Sequence, residues 1–254
     1  MLHLPLEIVR IIVECARYES RLFPLLFVSK EFLHETCRVL YRHIYIKSSH
    51  KRHHLPLNSA VKRSYYASLV KTIIIDSCRL HNDIRRILYA THNLKTLEIF
   101  DWDFSNIQFI LRTDYPFQLG CFTYVLGRHE RLTEFLESQP SIKTLYWFPR
   151  PFVADARTSL VETSSLPGLE NYCTSVPLME SRLFLDGKLK RLFTDECIQL
   201  PKEPTAASRH ITSVALRDTS MVTLDDVLAF FPNVRYLDGD WSVVSAFPNY
   251  SYNR

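Results

Sequence analysis

The sequence predicts an α/β protein in two parts: a three-helix module over residues 1–46 and an array of short strands with intervening helices over residues 69–254, joined by a basic connector at 47–68. Three observations lead there. From residue 69 onward the pattern apolar-x-x-apolar-x-apolar returns eight times at a nearly constant interval. Several of the stretches between these patterns carry the three- and four-residue apolar spacing of a helix. The first 46 residues show the same spacing three times, punctuated by Pro5 and Pro24.

Composition narrows the class of chemistry. The chain has 254 residues, 46% hydrophobic and 23% charged, the balance of a globular protein. Its five glycines (Gly120, Gly127, Gly168, Gly187 and Gly239) are never close together, so neither a G-x-G-x-x-G turn nor a phosphate-cradling P-loop exists. A dinucleotide-binding dehydrogenase and a Walker-type NTPase are out. No uncharged run approaches the ~18 residues a membrane helix needs. Glu7, Arg10 and Glu14 interrupt the apolar N-terminus too early for a signal peptide, so a cytoplasmic or nuclear protein is expected. The six cysteines are scattered without a C-x-x-C pair and read as small buried hydrophobes, so neither a metal site nor a cofactor is expected.

The first helix opens at Pro5, with Glu7 in its first turn, and runs to about Arg17. On a helical wheel Glu7, Arg10, Glu14 and Arg17 crowd into a sector of about 80°, leaving an apolar arc of about 220°. A surface helix needs an apolar stripe of only ~100°. This helix therefore has a second sticky side. A second apolar run, Leu22 to Val28, contains Pro24, which suits a helix start. Phe32, Leu33, Val39, Leu40, Tyr41 and Ile44 are spaced for a third helix. Three short helices make a core that is marginal alone. Surplus apolar surface on such a module calls for a cover, either an external partner or the domain that follows.

Leu4-Pro5-Leu6-Glu7-Ile8, then Ile11-Ile12, then Leu26-Phe27-Val28-Ser29-Lys30-Glu31-Phe32, then Leu40-Tyr41-Arg42-His43-Ile44 resemble an F-box in order and spacing. The resemblance covers residues 1 to about 46, with Phe32 in place of the commoner Trp. It implies a three-helix module that docks on the Skp adaptor, and through it on the cullin, of a Skp–cullin–F-box ubiquitin ligase. By position it implies that Leu4, Pro5, Leu6, Ile8, Ile12, Leu26 and Val28 form the contact.

The repeated pattern is anchored on Val70/Ile73/Ile75, Leu94/Leu97/Ile99, Leu119/Phe122/Tyr124 and Ile142/Leu145/Trp147. It continues on Leu169/Tyr172/Thr174, Leu189/Leu192/Thr194, Ile211/Val214/Leu216 and Val234/Leu237/Gly239. Intervals between first positions are 24, 25, 23, 27, 20, 22 and 23 residues. A period of ~20–29 with an L-x-x-L-x-L core is the leucine-rich-repeat signature. Asp83–His92, Arg128–Gln139 and Leu224–Phe231 show helical spacing, and Thr223 with Asp225 and Asp226 makes an N-cap and acidic first turn. Pro140, Pro167 and Pro232 each stand two residues before the next core, where a proline ends a helix. Cys78 and Cys197 take the turn position that follows the core by three residues. The expectation is a horseshoe of about eight degenerate repeats with a parallel concave sheet and outer helices. Together the two parts are similar to fungal-type F-box proteins with irregular leucine-rich repeats.

In such a stack the residues flanking the second and third apolar positions face inward. Phe100, Tyr146, Phe148, Phe193 and Tyr236 are aromatics on that face, beside Arg191 and Arg217. Aromatics next to arginine are the usual material of protein-binding hot spots, so these seven are the candidate target-binding residues, although neighbouring aromatics also simply stack along a sheet. Asp76, Glu98, Asp195, Asp238 and Asp240 share the face, a poor lining for a phosphate backbone.

Charge is uneven along the chain. Between Glu35 and Asp76 there is no acid but eight cations (Arg38, Arg42, Lys47, Lys51, Arg52, Lys62, Arg63 and Lys71). Without them 31 − 8 = 23 Lys and Arg face 27 acids, so the overall +4 is local. Such a block is a solvated connector or a contact for phosphates or an acidic surface. The expected function is that of a substrate receptor in a ubiquitin ligase, one end holding the adaptor and the inner face an unidentified target protein. No catalytic residue is expected, since neither G-x-S-x-G nor H-E-x-x-H occurs. The alternative is a scaffold without a ligase, binding nucleic acid or an acidic protein through residues 38–71.

Overall fold

The computed structural model describes residues 4–18, 21–47, 63–76, 81–100, 109–125, 130–148, 166–174, 188–194, 200, 203–205, 208–217 and 222–239. Most of the basic connector, the turn cysteines Cys78 and Cys197, the inner-face Asp195 and the last fifteen residues, Asp240 among them, lie outside them. The chain is α/β and forms two compact units, Met1–Thr123 and Tyr124–Arg254, with the strands ordered as in the sequence.

The first unit begins with α1 (Leu6–Tyr18), α2 (Leu22–Leu25) and α3 (Lys30–Arg42). Pro5 accepts the first bonds of α1, from the N–H groups of Ile8 and Val9. Ser29 caps α3, its hydroxyl accepting from the Phe32 N–H at 3.4 Å. Val9, Val13, Leu22, Phe32 and Val39 form the buried core of this bundle, with Ala16, Leu25 and Leu40 against it. A short helix, α4 (Ser64–Leu69), then packs on α3: Tyr66 stacks on Tyr41 with ring centroids 4.5 Å apart, and Tyr65 bonds to His34.

The third helix does not reach Ile44. It stops at Arg42, and His43–Ile46 is a strand, β1, lying parallel to β2 (Thr72–Ile75). His43 and Tyr45 are exposed while Ile44 and Ile46 are buried, the two-residue alternation of a strand. The physical reason is the sheet edge. Without β1 one edge of β2 would stand unpaired, whereas here the Lys71 N–H donates to the Arg42 carbonyl and the Asp76 N–H to the Ile46 carbonyl, each at 2.9 Å. Tyr41, Ile44 and Ile46 fit the repeat's apolar spacing, so a ninth copy of the pattern was present in the residues assigned to the helical module.

Next come α5 (His81–Ala90), β3 (Thr96–Ile99) and β4 (Cys121–Tyr124). Ile44, Ile73 and Leu97 lie opposite one another in register, as do Ile46, Ile75 and Ile99. All six are buried, and α5 adds Ile84, Ile87 and Leu88 to the interior.

The second unit contains α6 (Glu130–Glu137), β5 (Thr144–Trp147), β6 (Asn171–Thr174), β7 (Arg191–Thr194), β8 (Ser213–Leu216), α7 (Leu224–Phe230) and β9 (Tyr236–Gly239), with one turn of 3-10 helix at Ser208–His210. Strands β5 to β9 pair in parallel, and Leu145, Tyr172, Leu192, Val214 and Leu237 form one row across them. Thr223 caps α7 in a reciprocal box: its hydroxyl accepts from the Asp226 N–H at 3.2 Å, and its own N–H donates to the Asp226 carboxylate at 3.0 Å. Every strand expected from the repeat pattern appears, each starting two residues after its first apolar position.

Candidate interaction surfaces

Helix α1 is held to α3 by its charged side as well as by its core. Val9 and Val13 are 1% and 0% exposed. Beside them Arg10 Nε lies 3.3 Å from Glu35, Arg38 Nε donates to Glu35 at 2.7 Å, and Arg38 also reaches Glu14 at 3.5 Å. Three residues of the polar sector, Arg10, Glu14 and Arg17, thus belong to a chain of ion pairs that joins the two helices. That orientation turns the apolar arc outward.

Ile11, Cys15, Ile8 and Ile12 occupy a continuous arc of about 100° on the wheel. All four are exposed, Ile11 to 58% and Ile8 to 42%. Leu4, Pro5 and Leu6 are exposed as well at the start of the helix. After α2, Phe27 is 87% exposed, and Phe23, Val28 and Leu33 are exposed as well, while Leu26 is half-buried. Six of the seven adaptor residues implied by the resemblance are therefore bare, and Ile11, Phe23, Phe27 and Leu33 add to their surface. The residues that follow the bundle do not cover α1 among the described contacts; α4 lies on α3 instead. Covering four half-exposed aliphatic side chains is worth on the order of 4 kcal/mol before the costs of association.

The other face considered is that of the sheet. In the first unit Tyr45, Ile74 and Glu98 lie in one row. The Tyr45 hydroxyl donates to Asp76 at 2.7 Å, and Lys47 pairs with the same carboxylate at 3.5 Å. Partial burial pushes the Glu98 carboxyl above its ordinary range. Burial, with Glu98 adding a smaller effect, raises the Cys121 thiol to about 11. Phe100 follows β3 and is half-buried.

In the second unit Tyr146, Cys173, Phe193, Ala215 and Asp238 form one row, and Thr144, Asn171, Arg191, Ser213 and Tyr236 the row beside it. Tyr146 and Phe193 are two strands apart, about 10 Å. Arg191 and Tyr236 have the same separation in the adjacent row, with Tyr236 exposed to 72%. Phe148 and Arg217 follow the ends of β5 and β8. Both rows have gaps filled by small or polar side chains, so the aromatics of this unit do not form a continuous stack along the sheet.

No group of three or more His, Cys, Asp or Glu suited to a metal occurs among the described residues, and no helix there is long and apolar enough to cross a membrane. No protein-family model matches the chain, and no curated protein matches it.

Proposed function

We propose that this chain is a substrate-receptor subunit of a Skp–cullin–F-box type ubiquitin ligase. In this reading residues 1–46 are an F-box that binds a Skp-type adaptor and, through it, cullin. The strands and helices beyond them form a leucine-rich-repeat horseshoe whose inner face holds a target protein. One observation carries the proposal: the bare apolar strip of α1, formed by Ile8, Ile11, Ile12 and Cys15, on a helix anchored by its opposite side. An exposed strip of this size on a small bundle is the mark of an interface.

The roles divide accordingly. Leu4, Pro5, Leu6, Ile8, Ile12 and Val28 meet the adaptor, with Leu26 supporting them from its half-buried position. Phe100, Tyr146, Phe148, Arg191, Phe193, Arg217 and Tyr236 contact the target. Ubiquitin transfer takes place on other subunits, so the chain has no catalytic role, and it works in the cytoplasm or nucleus.

The test is co-purification with a purified Skp-type adaptor. Ile8→Asp with Ile12→Asp abolishes the complex while far-ultraviolet circular dichroism is retained and melting falls little, because neither side chain belongs to the buried core of the bundle. Undiminished binding by that variant overturns the reading. A salt titration separates it from a scaffold that binds nucleic acid through residues 38–71: an apolar interface responds weakly to salt, and phosphate contacts respond steeply.

A further inference from the structure

The N-terminal edge of the sheet in the first unit carries a row of cations that the adaptor reading does not use. Arg42 stands immediately before β1, Lys71 immediately before β2 and Lys95 immediately before β3. Their backbones are joined side by side: the Lys71 N–H donates to the Arg42 carbonyl and the Lys95 N–H to the Lys71 carbonyl, each at 2.9 Å. Adjacent strands lie ~4.8 Å apart, so three positive side chains leave one edge within about 10 Å. Like charges opposite one another on neighbouring strands oppose folding. None of the three makes an ion pair among the described residues, so no described carboxylate relieves this repulsion.

A cavity of about 600 Å³ opens on the row. Besides Arg42, Lys71 and Lys95 it is lined by the hydroxyl-bearing Ser68, Thr72 and Thr96, and none of its described lining residues is acidic. Arg38 also borders it, but its guanidinium is committed to Glu35 and Glu14. His43 completes the wall at the first residue of β1. Partial burial, then the charges of Arg17 and Arg42, hold its imidazole below the ordinary range against the opposing pull of Glu14, so it is neutral at pH 7. The positive field is therefore carried by Arg42, Lys71 and Lys95.

We infer that this cavity binds a phosphomonoester dianion. Three uncommitted cations and the hydroxyls of Thr72 and Thr96, which are opposite one another in register, match a compact group with several acceptor oxygens and two negative charges. Within the first unit the row ends at Gly120, whose N–H donates to the Lys95 carbonyl at 2.8 Å and which has no side chain; in the second unit the same position holds Lys143, Glu170, Lys190, Thr212 and Arg235, where Lys190 pairs with Glu170. A nucleic-acid backbone needs a track of cations, so a single compact anion fits better.

The full-length chain is titrated calorimetrically with O-phosphoserine, with a peptide carrying one phosphoserine, with that peptide unphosphorylated, and with single-stranded oligonucleotides of two lengths. Binding is expected for the phosphorylated ligands only. Lys71→Gln weakens it about tenfold, and Lys71→Gln with Lys95→Gln about a hundredfold. Melting temperatures of both variants without ligand stay level or rise, since a repulsion is relieved. Equal affinity for phosphoserine and phosphopeptide assigns the dianion to a small molecule, and tighter binding of the peptide assigns it to a protein; either supports the site. Equal binding of the unphosphorylated peptide, unchanged affinity in the double variant, absence of phosphoserine and phosphopeptide binding, or oligonucleotide binding that is tighter and grows with length overturns it.

Discussion

Arg10 of α1 lies 3.3 Å from Glu35 of α3, a carboxylate only 7% exposed that also accepts from Arg38 at 2.7 Å. Together with the buried Val9 and Val13 this contact holds one side of α1 to the bundle and leaves the other to water. Replacing Glu35 by Ala leaves two guanidinium groups without their shared partner, although solvent reaches both. The expected loss is about 1–2 kcal/mol in urea unfolding, below the range for a fully buried pair. Loss of adaptor binding by Ile8→Asp with Ile12→Asp should come without this loss of stability. An unchanged unfolding midpoint for Glu35→Ala would show that the core of Val9 and Val13 alone orients the helix.

Cys15 sits in the middle of the apolar arc and is exposed, while Cys37 and Cys173 are buried and the Cys121 thiol is raised to about 11 by burial. Among these four, brief treatment with iodoacetamide at pH 7.5 should modify Cys15 first, because the thiolate must both form and be reached. Adding a Skp-type adaptor should slow that modification at least tenfold in the peptide mass spectrum. Equal labelling with and without a bound adaptor would move the interface off this side of α1.

Asp114 accepts two bonds from Arg112, each at 3.0 Å, and one from the Tyr89 hydroxyl at 2.6 Å. The Arg112 bonds, then the Tyr89 bond, lower its carboxyl to about 2. A depressed carboxylate adds stability that is full above its unfolded range and is lost as pH falls through the folded value, here from about 4 down to about 2. Carbon-detected titration should find the Asp114 midpoint near 2. Arg112→Gln should move that midpoint up more than Tyr89→Phe does. The reverse order would show that the tyrosine holds the carboxylate.

Thr223→Ala removes the hydroxyl half of the box that starts α7 and leaves the backbone N–H of residue 223 on the Asp226 carboxylate. A loss of about 1 kcal/mol is expected in the unfolding of the second unit. The hydroxyl and backbone N–H of Thr223 also hold the Asp226 carboxyl below its ordinary range, so the contribution is present above that range and fades as pH falls. Unfolding measured at pH 7 and at pH 3 should show a smaller difference between wild type and variant at the lower pH. An equal difference at both would mean that the carboxylate takes no part in the cap.

The strands were legible because a strand's burial pattern is local: Ile73 and Ile75, or Val214 and Leu216, announce themselves within six residues. The caps at Ser29 and Thr223 are local too. The strand His43–Ile46 was harder to see because its apolar residues also fit the turn of a helix, and only the free edge of β2 selects between the two. Of the surfaces, the surplus on α1 could be counted on a wheel, whereas Ile8 and Ile12 were singled out only by the resemblance to an F-box. Phe27 and Ile11 could not be ranked that way, since their exposure depends on where α2 and α3 end up.

From its own residues the chain determines an α/β repeat with a greasy first helix, since periodicity, prolines and capping residues act within a few positions of one another. Folding alone decides that α1 turns its apolar arc outward, because its anchor Glu35 is 25 residues away from Arg10 in the chain. Folding likewise brings Arg42, Lys71 and Lys95 into one row, since hydrogen bonds between strands, not neighbouring residues, set that register. Local order is written in spacing, whereas the two surfaces proposed for binding arise from pairings between distant segments.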